Sequence, residues 1–70
     1  MIDVKRLVEA YEHEGDVKII CDDGESFVGD VVSVDDEDDS GLGEIGITMF
    51  TEDGIVLGLG LSEIDEVVLL

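Results

Sequence analysis

Five carboxylates stand in a row at Asp35-Asp36-Glu37-Asp38-Asp39, and Ser40-Gly41 follows them. From Asp36 onward the residues trace the start of an EF-hand calcium loop. Asp36, Asp38 and Ser40 supply oxygens at the first, third and fifth places, and Gly41 allows the sharp turn at the sixth. Glu44 falls at the ninth place. The match ends at the twelfth, where Ile47 stands in place of a bidentate glutamate. The flanking patterns are those of strands, whereas an EF-hand needs helices. Crowded carboxylates still attract divalent cations, because the cation relieves their mutual repulsion. The expectation for Asp35–Asp39 is therefore a solvated loop tip with weak, unselective cation binding, and no metal ligand is assigned.

Other chemistry has little to work with. His13 is the only histidine and Cys21 the only cysteine, so neither a zinc site nor an intrachain disulfide can be assembled. Cys21 alternates with Val17 and Ile19 on an expected core face, which describes an inert buried thiol rather than a nucleophile. The serines at positions 26, 33, 40 and 62 have no histidine at a spacing that would activate them. No glycine cluster follows a strand and opens a helix to hold a phosphate. The reading is a noncatalytic protein without a cofactor.

Charge narrows the field further. Twenty Asp and Glu oppose Lys5, Arg6 and Lys18, for a formal net charge of −17. Most carboxylates thus lack a cationic partner, and their repulsion opposes compaction unless salt screens it, over about 10 Å at 0.1 M. A salt-rich cytoplasm would suit such a chain. High charge with low hydrophobicity would indicate disorder, but 44% of these residues are hydrophobic, so the chain is expected to fold. No stretch approaches the roughly 20 apolar residues of a membrane span. The opening MIDVKRLVEAYEHEG reads as neither signal peptide nor anchor. A cytoplasmic location is expected.

The elements that would position these residues can be read from periodicity. Residues 1–70 are expected to form one domain. Over 3–13, Val4, Leu7, Val8 and Tyr11 recur at helical spacing, with Asp3 as N-cap and Gly15 as the left-handed residue ending the helix. Strands are expected over about 16–21, 26–34, 44–50, 55–61 and 66–70, with Asp23-Gly24 and Asp53-Gly54 marking hairpin turns. Gly29, inside the second strand, would mark a bulge or bend. The fold class is mainly β: an N-terminal helix packed over one end of a five-stranded, strongly bent antiparallel barrel, Sm-like or SH3-like.

Asp23-Gly24, Phe27, Gly29, Val31 and Asp35 together resemble the first motif of the Sm and LSm proteins. The helix ahead of the first strand and the short last strand after a tight turn are also similar to that fold. The resemblance implies the barrel, with Gly29 and Asp35 as structural elements. It does not imply the family's RNA site. Where RNA-binding members carry an asparagine this chain has Asp39, and where they carry an Arg-Gly pair it has Leu59-Gly60 or Leu61-Ser62.

Composition agrees with that departure, since nucleic-acid affinity comes chiefly from Lys and Arg set against phosphates. The functional expectation is a self-associating assembly or protein-interaction module. The alternatives are an Sm-type binder of RNA or a small ligand, or weak divalent-cation binding at the acidic loop. Strands four and five, rich in Val, Ile and Leu and poor in edge-protecting charge along Ile55–Leu61, are the expected contact between copies, in a dimer or a ring. In Sm-like rings, pairing of these two strands joins neighbouring subunits.

Overall fold

A computed structural model of the chain describes residues 2–70. It is mainly β, as the residue pattern requires: helix α1 (Val4–Glu12) precedes strands β1 (Val17–Cys21), β2 (Ser26–Asp35), β3 (Gly46–Thr51), β4 (Val56–Gly60) and β5 (Ile64–Leu69). A single 3₁₀ turn, Leu61–Glu63, separates the last two strands. All ladders are antiparallel, and the strand order across the sheet is β4-β3-β2-β1-β5.

The sheet curls strongly but its ladder does not close. Leu59 of β4 and Ile64 and Val67 of β5 lie in one buried cluster, although their strands are at opposite ends of the sheet. Adjacent strands stand about 4.8 Å apart, so a flat sheet would keep these side chains well separated. The 3₁₀ turn spans the gap between the two ends. Leu61 N–H donates to Ile45 O at 2.9 Å, and Asp22 N–H donates to Glu63 O, also at 2.9 Å. A barrel closed by a β4–β5 ladder is thus replaced by an open, curled sheet bridged by three residues, leaving β4 and β5 as edges.

The strand interiors alternate as expected. Val17, Ile19 and Cys21 of β1 are buried, as are Ile47 and Met49 of β3, while Leu57 and Leu61 pack partly buried against the same core. Register slips by one residue at Val32, where Val31 pairs with Met49 and Ser33 with Thr48. A second slip leaves Asp65 unpaired between Glu66, opposite Ile20, and Ile64, opposite Cys21. Such bulges bend a strand and increase its twist. β5 begins at Ile64, two residues before the expected start, because the bulge lets Ile64 reach the core ahead of the carboxylate pair.

Three local expectations are corrected. The helix does not bury the stripe Val4, Leu7, Val8, Tyr11: Leu7 and Ala10 are buried, whereas Val4, Val8 and Tyr11 are 36%, 40% and 51% exposed. Ala10 has almost no side chain, so the i, i+3 row it makes with Leu7 lets the helix approach β2 and β5 closely. The helix begins at Asp3, whose carboxylate accepts from Lys5 N–H at 3.0 Å. It ends with His13 in extended conformation, not with a left-handed Gly15. Gly15 is needed for space instead, since a Cβ there would stand 3.1 Å from Leu70 O and 3.3 Å from the His13 ring.

Gly29 is not the bulged residue either. It pairs with Thr51, and a Cβ at this position would collide with the Phe50 carbonyl and the Thr51 backbone. The absent side chain lets β3 cross β2 at close range. Gly29→Ala is accordingly expected to cost about 1–3 kcal/mol, the range for forcing extra volume into packed structure. Gly58→Ala, where a Cβ would meet only Ile47 O at 3.8 Å, should cost much less. Urea melts of the two variants check the contrast, and equal destabilisation would contradict it.

Candidate functional site

The acidic loop is organised by its own backbone. One Asp36 carboxylate oxygen accepts from Asp38 N–H at 3.0 Å and from Asp39 N–H at 2.9 Å, while Ser40 N–H donates to Asp36 O at 3.0 Å. Ser40 Oγ donates to Glu44 O at 2.7 Å and accepts from Leu42 N–H at 3.1 Å. One of the two Asp36 carboxylate oxygens is thus folded onto the local N–H groups. Asp36–Asp39 are exposed, and Gly41 and Gly43 take the positive φ values, +73° and +77°, that the turn needs.

The two carboxylates flanking the loop are used structurally. Asp35 accepts from Thr48 Oγ1 at 2.9 Å and from Ser33 Oγ at 3.2 Å, tying β2 to β3 across the ladder. Glu44 turns away from the loop and grips the 3₁₀ turn, accepting from Ser62 N–H at 2.8 Å and Ser62 Oγ at 2.7 Å. Those two hydrogen bonds hold the Glu44 carboxyl below its ordinary pKa. Among the described residues no three His, Cys, Asp or Glu side chains converge on a position that could hold a metal ion.

The nucleophile candidates are dispersed. Cys21 is 6% exposed at the end of β1. Burial, and then the carboxylates of Asp23, Glu63, Asp22 and Glu25, push its thiol pKa upward, the opposite of what a reactive thiolate needs. His13 Nε2 lies 2.8 Å from Leu70 O and joins the end of α1 to the C-terminal strand. The serines at 33, 40 and 62 serve the carboxylate and loop contacts above. Ser26 lines an open depression of about 350 Å³ with Phe27, Val28, Thr51, Glu52, Asp53 and Ile55. That depression contains two carboxylates and no cation, histidine or thiol, so it offers nothing to bind a phosphate or activate a nucleophile.

The cations do not gather into a patch. Arg6 donates to Glu9, 3.4 Å away, and to Val67 O at 2.9 Å; Lys5 is exposed one residue earlier, and Lys18 lies on β1 opposite Val68. No described helix is long and apolar enough to cross a membrane. What remains conspicuous is the β4 side of the sheet, where Phe50, Ile55 and Val56 are 47%, 55% and 63% exposed. Ile55, expected to open the fourth strand, lies just before β4 and is exposed. Comparison with known proteins gives no matching family model, no similar curated protein and no similar solved structure.

Two predictions follow from the electrostatics. Because the Glu44 pKa is lowered in the folded state, its hydrogen bonds contribute stability above the unfolded carboxylate pKa and lose it as pH falls through the lowered value. Glu44→Gln should therefore melt below wild type at neutral pH, with the gap narrowing as pH drops through the acidic range. A gap independent of pH would contradict this account. Separately, NaCl should raise the melting temperature by screening carboxylate repulsion. EDTA at constant ionic strength should leave it unchanged, and a drop of many degrees would identify a structural cation.

Proposed function

We propose that the protein is a noncatalytic, self-associating assembly or protein-interaction module that makes contact through its edge strands, β4 and β5. The observation that carries this reading is the open curled sheet. Both end strands present unpaired backbone groups, and one of them is bordered by exposed Phe50, Ile55 and Val56. Free edges are templates for pairing, and proteins that remain single normally block them with charge, proline or a covering element. A domain of this size also gains from association, because a short chain buries only about 60% of the surface it exposes when unfolded.

The Sm-like resemblance of Asp23-Gly24, Phe27, Gly29, Val31 and Asp35 fits the same reading, since Sm-type subunits join through these two strands. Its RNA-binding side is not supported. Arg6 is occupied within its own chain, the exposed aromatics Tyr11 and Phe50 stand apart on α1 and β3, and Lys5 and Lys18 face twenty carboxylates, too little to hold a phosphate backbone beneath stacked bases. Static light scattering after gel filtration tests the proposal. At tens of micromolar protein and physiological salt the mass should exceed that of one chain and rise with added salt. A mass of 7.5 kDa under all these conditions would refute self-association.

A further inference from the structure

The two edges of the sheet are not equivalent. β5 bears three features that obstruct pairing. Asp65 and Glu66 are exposed carboxylates, Asp65 is bulged out of register, and the Arg6 side chain occupies Val67 O from outside the strand at 2.9 Å. Asp16 O accepts from Leu70 N–H, so in an antiparallel ladder Val68 faces β1 while Val67 and Leu69 direct their N–H and C=O groups outward. Arg6 therefore takes one of the few acceptors that a strand arriving at β5 would need.

β4 has no such guard. From Gly54 to Ser62 the chain runs nine residues without a charge, and the β3–β4 ladder has no bulge. The hydrogen bonds Thr51 N–H to Ile55 O and Leu61 N–H to Ile45 O fix the ladder's phase. Ile55, Leu57, Leu59 and Leu61 bond inward to β3, so Val56, Gly58 and Gly60 direct their N–H and C=O groups away from the sheet. Gly60 N–H is already held by Glu63 Oε2 at 2.8 Å. Val56 and Gly58 remain, each with a free donor and a free acceptor.

We infer that the partner of β4 is β4 of a second copy, paired antiparallel about a two-fold axis at Leu57. Val56 of each chain then exchanges both backbone hydrogen bonds with Gly58 of the other. The inference rests on the self-association reading and restricts its contact to β4. The two open positions are self-complementary in this register, so the contact is isologous and closes at a dimer, giving one ten-stranded sheet. Gly58 sets no side chain opposite Val56, which keeps the outer surface at the seam free of a clash. The self-complementary register selects a second copy as the occupant, and charge fixes where it approaches: two −17 chains repel least along this uncharged strand. Glu52 and Asp53 of one copy then come near the Glu44 and Glu63 end of the other, so salt strengthens the dimer.

A nitroxide attached to Val56→Cys tests the register, with mass spectrometry confirming that the buried Cys21 stays unlabelled. In the dimer, positions 56 and 56′ are diagonal neighbours across the seam, with backbones about 7–8 Å apart. Their electron spin resonance spectrum should be strongly broadened, and dilution with unlabelled protein should remove the broadening. The scattering mass should be that of two chains. It should fall to one chain in Gly58→Pro, where proline removes only the outward N–H, and in Val56→Asp, each still melting cooperatively. A dimer or ring without broadening, or a dimer surviving both folded β4 variants, would overturn the β4 pairing while leaving self-association standing. A monomeric wild type would overturn both.

Discussion

The close passage of β3 over Gly29 is the contact on which the rest of the structure depends. β2 is the longest strand and the middle of the sheet, with β3 on one side and β1 on the other. The sheet can enclose a core only if it bends within β2. The bulge at Val32 supplies the bend, and the missing side chain at Gly29 lets the Phe50–Thr51 backbone follow it inward. With that curvature Leu59, Ile64 and Val67 meet beneath the sheet, and a nine-residue helix completes the core with Leu7 and Ala10. Among the described residues there is no second sheet, so the curl takes the place of a second layer.

The carboxylates divide by their hydrogen-bond partners. Asp3, Asp23, Asp35, Asp36, Glu44 and Glu63 each accept from N–H or hydroxyl groups and so brace a helix start, a ladder, three turns and a strand end. A carboxylate can do this without a cation, because backbone and hydroxyl donors stabilise the charge. The only ion pair among the described residues is the surface contact Arg6–Glu9, and such a pair contributes at most about 1 kcal/mol. Acidity is therefore tolerated where neutral donors satisfy it, and the remaining carboxylates are left to water and salt.

Much of this was legible in the residues. Alternation at Val17, Ile19 and Cys21 and at Ile47 and Met49 gave strand and inner face together, and Asp23-Gly24 and Asp53-Gly54 gave the turns. The helix face was misread because a hydrophobic stripe weights Val4, Val8 and Tyr11 above Ala10, whereas close packing on β2 and β5 rewards the smaller residue. Gly29 was correctly singled out for the wrong reason: sequence marks a glycine as unusual but cannot say whether φ, a bulge or a neighbouring strand requires it. Glu44 fell at the ninth place of the loop pattern, and spacing alone cannot show that its side chain turns toward Ser62. The difference between the edges was only half visible. The neutral run of β4 could be read from the chain, but the Arg6 contact with Val67 O joins residues 61 positions apart and exists only in the fold.

That contact changes what the acidity means. Most proteins protect an edge strand locally, with a lysine, a proline or a bulge, and β5 follows that practice while β4 does not. A chain with a net charge of −17 has a second protection that acts on the whole molecule, since like-charged copies repel before any edges can meet. This repulsion falls with ionic strength over a Debye length of about 10 Å at 0.1 M salt, whereas a proline or a bulge blocks at any salt concentration. In the proposed dimer, leaving β4 locally bare and the molecule globally charged would make pairing conditional on the ionic environment. On that proposal the carboxylates that resembled a calcium loop need no ligand to matter, because their charge would set the salt concentration at which the bare edge meets another.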